Sequence, residues 1–151
     1  MKKIFLSALI LFGLLSFQSN VQASPYPNHL NGDPDYVLTD GHMGTAWYMK
    51  KSSLNVEQYA PPNYIISVSV YTVSNADRGN TSYSSVRTIR LRYDWDNRAM
   101  YVRTDDGGWR YLDPNAALAY TRVALPTGEM AFYVAYGKKF YGTCGYSFYT
   151  R

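Results

Sequence analysis

Between residues 64 and 112 the chain runs through four stretches in which apolar and polar side chains alternate: 64–73, 86–93, 99–103 and 109–112. A period of two belongs to strands with one buried face, and the joints between these runs are turn formers. Ile66, Val68, Val70 and Thr72 share one side of the first run, and Ile65, Ser67, Ser69, Tyr71 and Val73 share the other. Ile89, Leu91 and Tyr93, then Met100 and Val102, continue the apolar side. Arg90, Arg92, Tyr101 and Arg103 continue the opposite one. Asp94-Trp-Asp-Asn-Arg98 and Thr104-Asp-Asp-Gly-Gly108 are hairpin turns, because Asp and Asn bond their own backbone and Asp-Gly favours tight reversals.

The segments before this meander are shorter. Residues 36–38, 46–49 and 54–59 read as strands, with a turn at 39–44 and a polar link at 50–53. Ala60-Pro-Pro-Asn63 makes a corner, since proline has no donor for a ladder. The longest polar loop is 75–85.

After Leu112 the period changes. Asp113-Pro114 predicts a helix start, with Asp113 as the N-cap and the helix running to Tyr120. A second helix is expected from about Thr127 to Tyr136, with a stripe of Met130, Tyr133, Val134 and Phe140 and with Gly137 as its C-cap. One more strand at 131–136 is the alternative, and the tail to Arg151 has no assignment. The expected fold is α+β: an antiparallel meander of about five or six strands with a C-terminal helix on one face. An all-β sandwich or barrel is the alternative.

The N-terminus reads as a secretory signal over residues 1–23. Lys2 and Lys3 precede an apolar run from Ile4 to Phe17, and Val21 and Ala23 have the spacing a signal peptidase reads. Residues 24–35, rich in Pro, Asn and Gly, are expected to be a flexible lead-in, and 36–151 a single domain. This places the protein outside the cytoplasm, in the periplasm, at the cell surface or in the medium, with no membrane span after cleavage.

The formal charge of +4 falls to +2 once Lys2 and Lys3 leave with the signal. The arginines sit among aspartates rather than in a block, which argues against nucleic acid as a partner. A single cysteine, Cys144, excludes an internal disulfide and thiolate zinc clusters.

Candidate chemistry is sparse. The two histidines are His29, in the lead-in, and His42, which has Asp40 beside it. Asp40-x-His42 is half of an acid–base or metal pair and no more. Asp94, Asp96 and Asn97 resemble the start of a calcium loop without its Gly and distal Glu. Asp105 and Asp106 are sufficiently explained by a turn. No catalytic residue, metal or cofactor is assigned, and a non-enzymatic protein is expected.

The chain holds 16 Tyr, 3 Trp and 6 Phe. Tyrosine joins an apolar ring to a polar tip and suits half-wet sheets and binding surfaces alike. Arginine planes interleaved with such rings suit carboxylates, sulfated sugars or acidic protein patches. Tyr71, Arg90, Arg92, Tyr101 and Arg103 are therefore the candidate ligand-binding residues. The plainer reading is a solvated face on which arginine stems lie over rings.

Trp47-Tyr-Met-Lys-Lys-Ser-Ser-Leu54, Ile66-Ser-Val-Ser-Val-Tyr71, Ser84-Ser85 leading into Arg90-Leu-Arg-Tyr-Asp94, and Trp109 with Asp113-Pro114 together resemble the surface-adhesin protein E family of small exported bacterial domains. The likeness covers about residues 36–115. It implies a non-enzymatic surface protein that binds host matrix or other proteins, and no catalytic residue to carry over. The leading expectation is an exported adhesion-type module that recognises a protein or glycan through the Tyr/Arg face and the 75–85 loop. The others are a structural envelope protein acting through self-association, with Cys144 available for cross-linking, and a small hydrolase or hydrolase inhibitor.

Overall fold

The computed structural model describes residues 24–116, 121 and 123–151. The signal segment and most of the helix expected after Asp113 lie outside the described residues. Where that helix was expected to begin, Asp113 accepts hydrogen bonds from the Asn115 and Ala116 N–H groups, which makes a turn.

Seven strands form one antiparallel sheet: β1 (Tyr36–His42), β2 (Thr45–Lys50), β3 (Asn55–Ala60), β4 (Asn63–Ser74), β5 (Ser85–Asp94), β6 (Ala99–Arg103) and β7 (Trp109–Tyr111). A helix, α1 (Ala124–Tyr136), packs on one face, and a short helix, α2 (Tyr146–Tyr149), closes the tail. This is the α+β arrangement expected, with seven strands in place of five or six. Among the described residues no helix is long and apolar enough to cross a membrane.

The twelve-residue β4 is the axis of the sheet. It pairs with β5 along Asn63–Thr72, so Ile66 faces Leu91 and Val68 faces Ile89. Its other edge is shared. β2 takes Val70 to Ser74 and β3 takes Asn63 to Ser67. Ser69 falls between the two, and its N–H goes to Ser53 Oγ at 2.9 Å, from the single-turn helix Lys51–Ser53. A side chain thus completes a ladder that two strands leave open.

The first hairpin is longer than its sequence suggested. β1 runs on through Thr39 and Asp40 to His42, and the turn shrinks to Met43-Gly44, both at positive φ. Two positive-φ residues are what a twisted two-residue hairpin needs.

The apolar side of the sheet carries the main core. Ile66, Val68, Val70, Leu91, Tyr93 and Met100 are buried there against Met130, Ala131 and Phe132 of α1. Gly128 is the point of closest approach. A Cβ there would stand 2.3 Å from Met100 Sδ and 3.2 Å from Leu91 Cδ2. Beneath it Tyr93 donates its buried hydroxyl to the Gly128 carbonyl at 3.0 Å. The helix starts at Ala124, earlier than expected, and ends at Gly137 in the left-handed conformation expected of a C-cap. Of the predicted stripe, Met130 and Phe140 are buried and Tyr133 is half-buried, but the burial is wider than the stripe. Nearly every residue from Ala124 to Phe132 is buried, whereas Val134 is exposed. The tail packs over the helix's early turns and removes their outer side from water.

Glu129 anchors that tail. It is fully buried, and its carboxylate accepts the Tyr141 N–H at 2.5 Å, the Tyr149 hydroxyl at 2.6 Å and the Gly142 N–H at 3.4 Å. Tyr141 in turn accepts the Met100 N–H at 2.8 Å and donates to the Leu112 carbonyl at 2.9 Å. A chain of polar contacts therefore links helix, tail and the β6–β7 edge.

The other face carries a second core at one end. Tyr26 and Leu30, in the segment expected to be a flexible lead-in, are buried against Leu38, Ala46, Tyr48, Val73 and Ala76. Tyr26 Oη accepts the Gly44 N–H at 3.0 Å, and Tyr48 donates to the Pro27 carbonyl at 3.1 Å.

Glu129→Leu removes the acceptor and strands buried donors, so it is expected to cost about 3 kcal/mol in urea unfolding, with Glu129→Gln costing less. Burial, its largest cause, pushes the phenols of Tyr93, Tyr141 and Tyr149 far up. The unfolded chain releases those protons near the ordinary tyrosine value of about 10, so stability is whole below that pH and lost above it. In an alkaline titration these phenolates should appear only together with loss of near-ultraviolet circular dichroism. A single non-cooperative wave for all tyrosines would refute the burial assignment.

Candidate functional site

The face opposite α1 is divided. The end at β1 and β2 lies under the 24–35 segment, and the end at β5–β7 is open. On the open half the arginines and rings come together by register. Arg92 faces Ile65 on one neighbour and Tyr101 on the other, and Tyr101 faces Tyr111. Arg90 faces Ser67, and Arg103 faces Trp109.

The Arg92 guanidinium lies 4.3 Å from the Tyr101 ring centre. The guanidiniums of Arg90, Arg92 and Arg103 stand 5.9, 5.2 and 5.2 Å from the centre of Trp109. Tyr111 packs 5.6 Å from Tyr101. A cation over such a ring gains about 0.5–1 kcal/mol at an exposed site, while its N–H edge stays open to an acceptor. Arg90 is ion-paired with Glu57, which reaches it from the irregular step in the β3–β4 register between Val56 and Gln58. The group is therefore three cations and one anion on a shared aromatic floor.

Four of the five expected residues, Arg90, Arg92, Tyr101 and Arg103, belong to this group. Tyr71 is on the same face but elsewhere. It lies four residues along β4 from Ser67, about 13 Å by strand rise. It packs against Tyr36 at 4.9 Å and Tyr83 at 5.1 Å, with Lys50 over the Tyr36 ring. The 75–85 loop is at that distant end as well. It is tied down by Asn80 donating to the Ser74 carbonyl at 2.7 Å and by the Ser84 N–H donating to the Thr72 carbonyl at 2.7 Å.

The sequence reading missed three members: Trp109, Tyr111 and Glu57. Counting back across the 104–108 turn puts Trp109 opposite Arg103, so that signal was present. Glu57 reaches Arg90 through a register slip, which alternation alone does not reveal.

The remaining candidates resolve into local structure. Asp94 accepts the Asn97 N–H at 3.1 Å and the Asn97 side-chain amide at 2.8 Å, and these bonds hold its carboxyl below the usual range. Asp106 accepts from the Thr104 hydroxyl at 2.5 Å and the Gly108 N–H at 3.0 Å, with the same effect. Both are hairpin turns. His42 Nδ1 stands 3.4 Å from Asp40 at the tip of the first hairpin, with 54% of its side chain exposed and its ring stacked on Trp47. Among the described residues no group of three or more His, Cys, Asp and Glu is placed to hold a metal.

Cys144 is half-buried in the tail, beside a cleft of about 420 Å³ that Asp40, Phe148 and Arg151 also line. Burial pushes its thiol up, and the nearby Glu129 charge adds to this. The thiolate is the reactive form. Labelling by an aromatic disulfide reagent at neutral pH should therefore be at least about tenfold slower in the native protein than in urea. Equal rates would place Cys144 at the surface, free to cross-link.

No family model matches this chain, and no curated protein or solved structure matches it either.

Proposed function

We propose that this protein is an exported, non-enzymatic binding module that recognises an acidic protein or glycan through the open half of its sheet. The observation that carries this reading is the convergence of Arg90, Arg92 and Arg103 on the Trp109 ring, with Tyr101 and Tyr111 alongside. Guanidiniums placed over rings lose part of their rotamer freedom before a ligand arrives. Their forked donors suit carboxylates and sulfates, and the rings suit the apolar faces of sugars or peptide side chains. Ser67 and Ser69 keep the neighbouring strand low, so the group stands up from the sheet. The likeness to surface-adhesin protein E points to the same class of role, outside the cytoplasm.

A structural envelope protein that self-associates is the second reading. One observation favours it: β3 is exposed along its whole length and has a ladder partner on one side only, β4. An unpaired strand edge is a template for a second chain.

The test is a binding screen of the purified protein against immobilised matrix proteins, cell-wall glycans and sulfated polysaccharides, with Arg90→Ala/Arg92→Ala beside it. The expected result is saturable, salt-weakened binding that falls at least about tenfold in the double variant. Binding that survives the double variant would move the site elsewhere. No binding to any surface would favour self-association, read as a dimer by sedimentation.

A further inference from the structure

The sheet has a notch on the β6 side of β5. β5 is ten residues long and β6 is five, and β6 pairs only with Leu91–Asp94. Beyond Arg103 the chain turns back, with the Thr104 N–H donating to the Gly108 carbonyl at 3.0 Å. The first half of β5 is therefore paired with β4 on one side and, among the described residues, with no strand on the other. Ser85 to Thr88 are all exposed, Val86 at 46%.

The ladder shows which main-chain groups are left over. Met100 accepts the Leu112 N–H and donates its own N–H to Tyr141 Oη, each at 2.8 Å, so its main chain is turned away from β5. Met100 faces Tyr93, which makes that pair a non-hydrogen-bonded one. Along an antiparallel strand the main-chain groups alternate from one neighbour to the other. Arg87 and Ile89 therefore bond to β4, as Tyr93 does, and the N–H and C=O groups of Val86 and Thr88 point into the notch. A cleft of about 630 Å³ lies there. It passes through the plane of the sheet, with Ile89, Val102 and Ala124 lining it on the helix side and Thr88 and Arg103 on the open side.

We propose that this notch takes an extended segment of a partner protein as an added antiparallel strand, with acidic side chains on the open side and apolar ones on the helix side. The unpaired groups of Val86 and Thr88 supply the ladder, and the cleft supplies room for the side chains. Alternate residues of a strand fall on opposite faces. Those of the added strand on the helix side meet Ile89 and Val102, and those on the open side lie beside Arg90 and Arg103. Charge decides the occupant. A second copy would bring its own Arg87 and Arg90 beside those of the first, and like charges across a strand pair oppose pairing. A segment with carboxylates at alternate positions meets the opposite charge. The inference rests on the reading of this protein as a binding module, and it gives that module a protein partner held through the main chain.

The probe is a hexapeptide that alternates glutamate and valine, with blocked ends, titrated into the purified protein at fixed ionic strength. It should bind saturably, and the lysine–valine counterpart should not. N-methylation at the glutamates removes the donors that would face β5 and should weaken binding at least about tenfold, whereas N-methylation at the valines should be tolerated better. Thr88→Pro removes a donor of the notch without touching the β4 ladder, and it should weaken binding to the same extent. In the wild-type protein, amide exchange at Val86 and Thr88 should slow at least about tenfold on peptide addition, while Arg87 and Ile89, already bonded to β4, change little. Thr88→Pro should leave glycan binding by the open face within about twofold, so loss of one activity without the other tells which reading has failed. No binding of the acidic peptide, binding indifferent to methylation at the glutamates, or protection confined to other residues would each overturn the proposal. A dimer of the free protein that Thr88→Pro dissolves would overturn it too, by giving the notch to a second copy.

Discussion

The fold depends on how closely α1 can approach the sheet at Gly128. The absence of a side chain there lets Met100 and Leu91 rise against the helix backbone. It also lets Tyr93 reach the Gly128 carbonyl from below. The neighbouring residue then faces away from the sheet, and it is Glu129. Its buried carboxylate draws in the Tyr141 and Gly142 amides and the Tyr149 hydroxyl. Two consecutive residues thus decide both sides of the helix, one by having no side chain and one by having a charge. A buried charge costs several kcal/mol unless it is fully hydrogen-bonded, so the tail has little freedom to sit elsewhere. That constraint explains why a helix of ordinary length is buried nearly all round in its first two turns.

Closing one face in this way concentrates the recognisable polar chemistry on the other. The 24–35 segment covers the β1–β2 end through Tyr26 and Leu30. What stays open is the β5–β7 end, and there Arg90, Arg92, Tyr101, Arg103, Trp109 and Tyr111 share one face. Stacking also explains why that arrangement is stable without a ligand. Each guanidinium loses part of its water shell to a ring rather than to bare solvent, at a gain of about 0.5–1 kcal/mol per contact. The Glu57 carboxylate offsets part of the mutual repulsion among the three cations.

Much of this was legible in the sequence. Alternation from residue 64 to 112 placed Ile66, Val68, Leu91, Tyr93, Met100 and Val102 inside, and all are buried. The same period placed Arg90, Arg92, Tyr101 and Arg103 on one surface, and Gly137 ended the helix. The failures have particular causes. Tyr71 was grouped with the arginines because alternation reports a face and not a distance along it. The helical stripe was misjudged because the tail's aromatic residues supply a second burying surface that no period within the helix encodes. Tyr26 and Leu30 were read as part of a polar lead-in because two apolar residues among Pro, Asn and Gly carry no periodicity. Nothing in the sequence singles out Glu129, since its donors are twelve to twenty residues away.

The distribution of arginine along β5 shows what a sheet of this kind can do with one residue type. Arg87, Arg90 and Arg92 lie within six residues of one strand, yet the pleat sends Arg87 to the helix side and the other two to the open side. The environment each meets differs accordingly. Arg92 lies over Tyr101 and Trp109, and Arg90 lies near Trp109 and is paired with Glu57, so the two are spread over a surface several residues wide. Arg87 meets no ring and lines the wall of an open cleft beside Ile89 and Val102. A flat positive surface over rings discriminates weakly between anions and is screened by salt, because water reaches every pair. A positive group in a cleft loses less to screening and can select by shape. The same side chain therefore lies over aromatic rings on one face and borders a cleft on the other, and the parity of its position in the strand decides which.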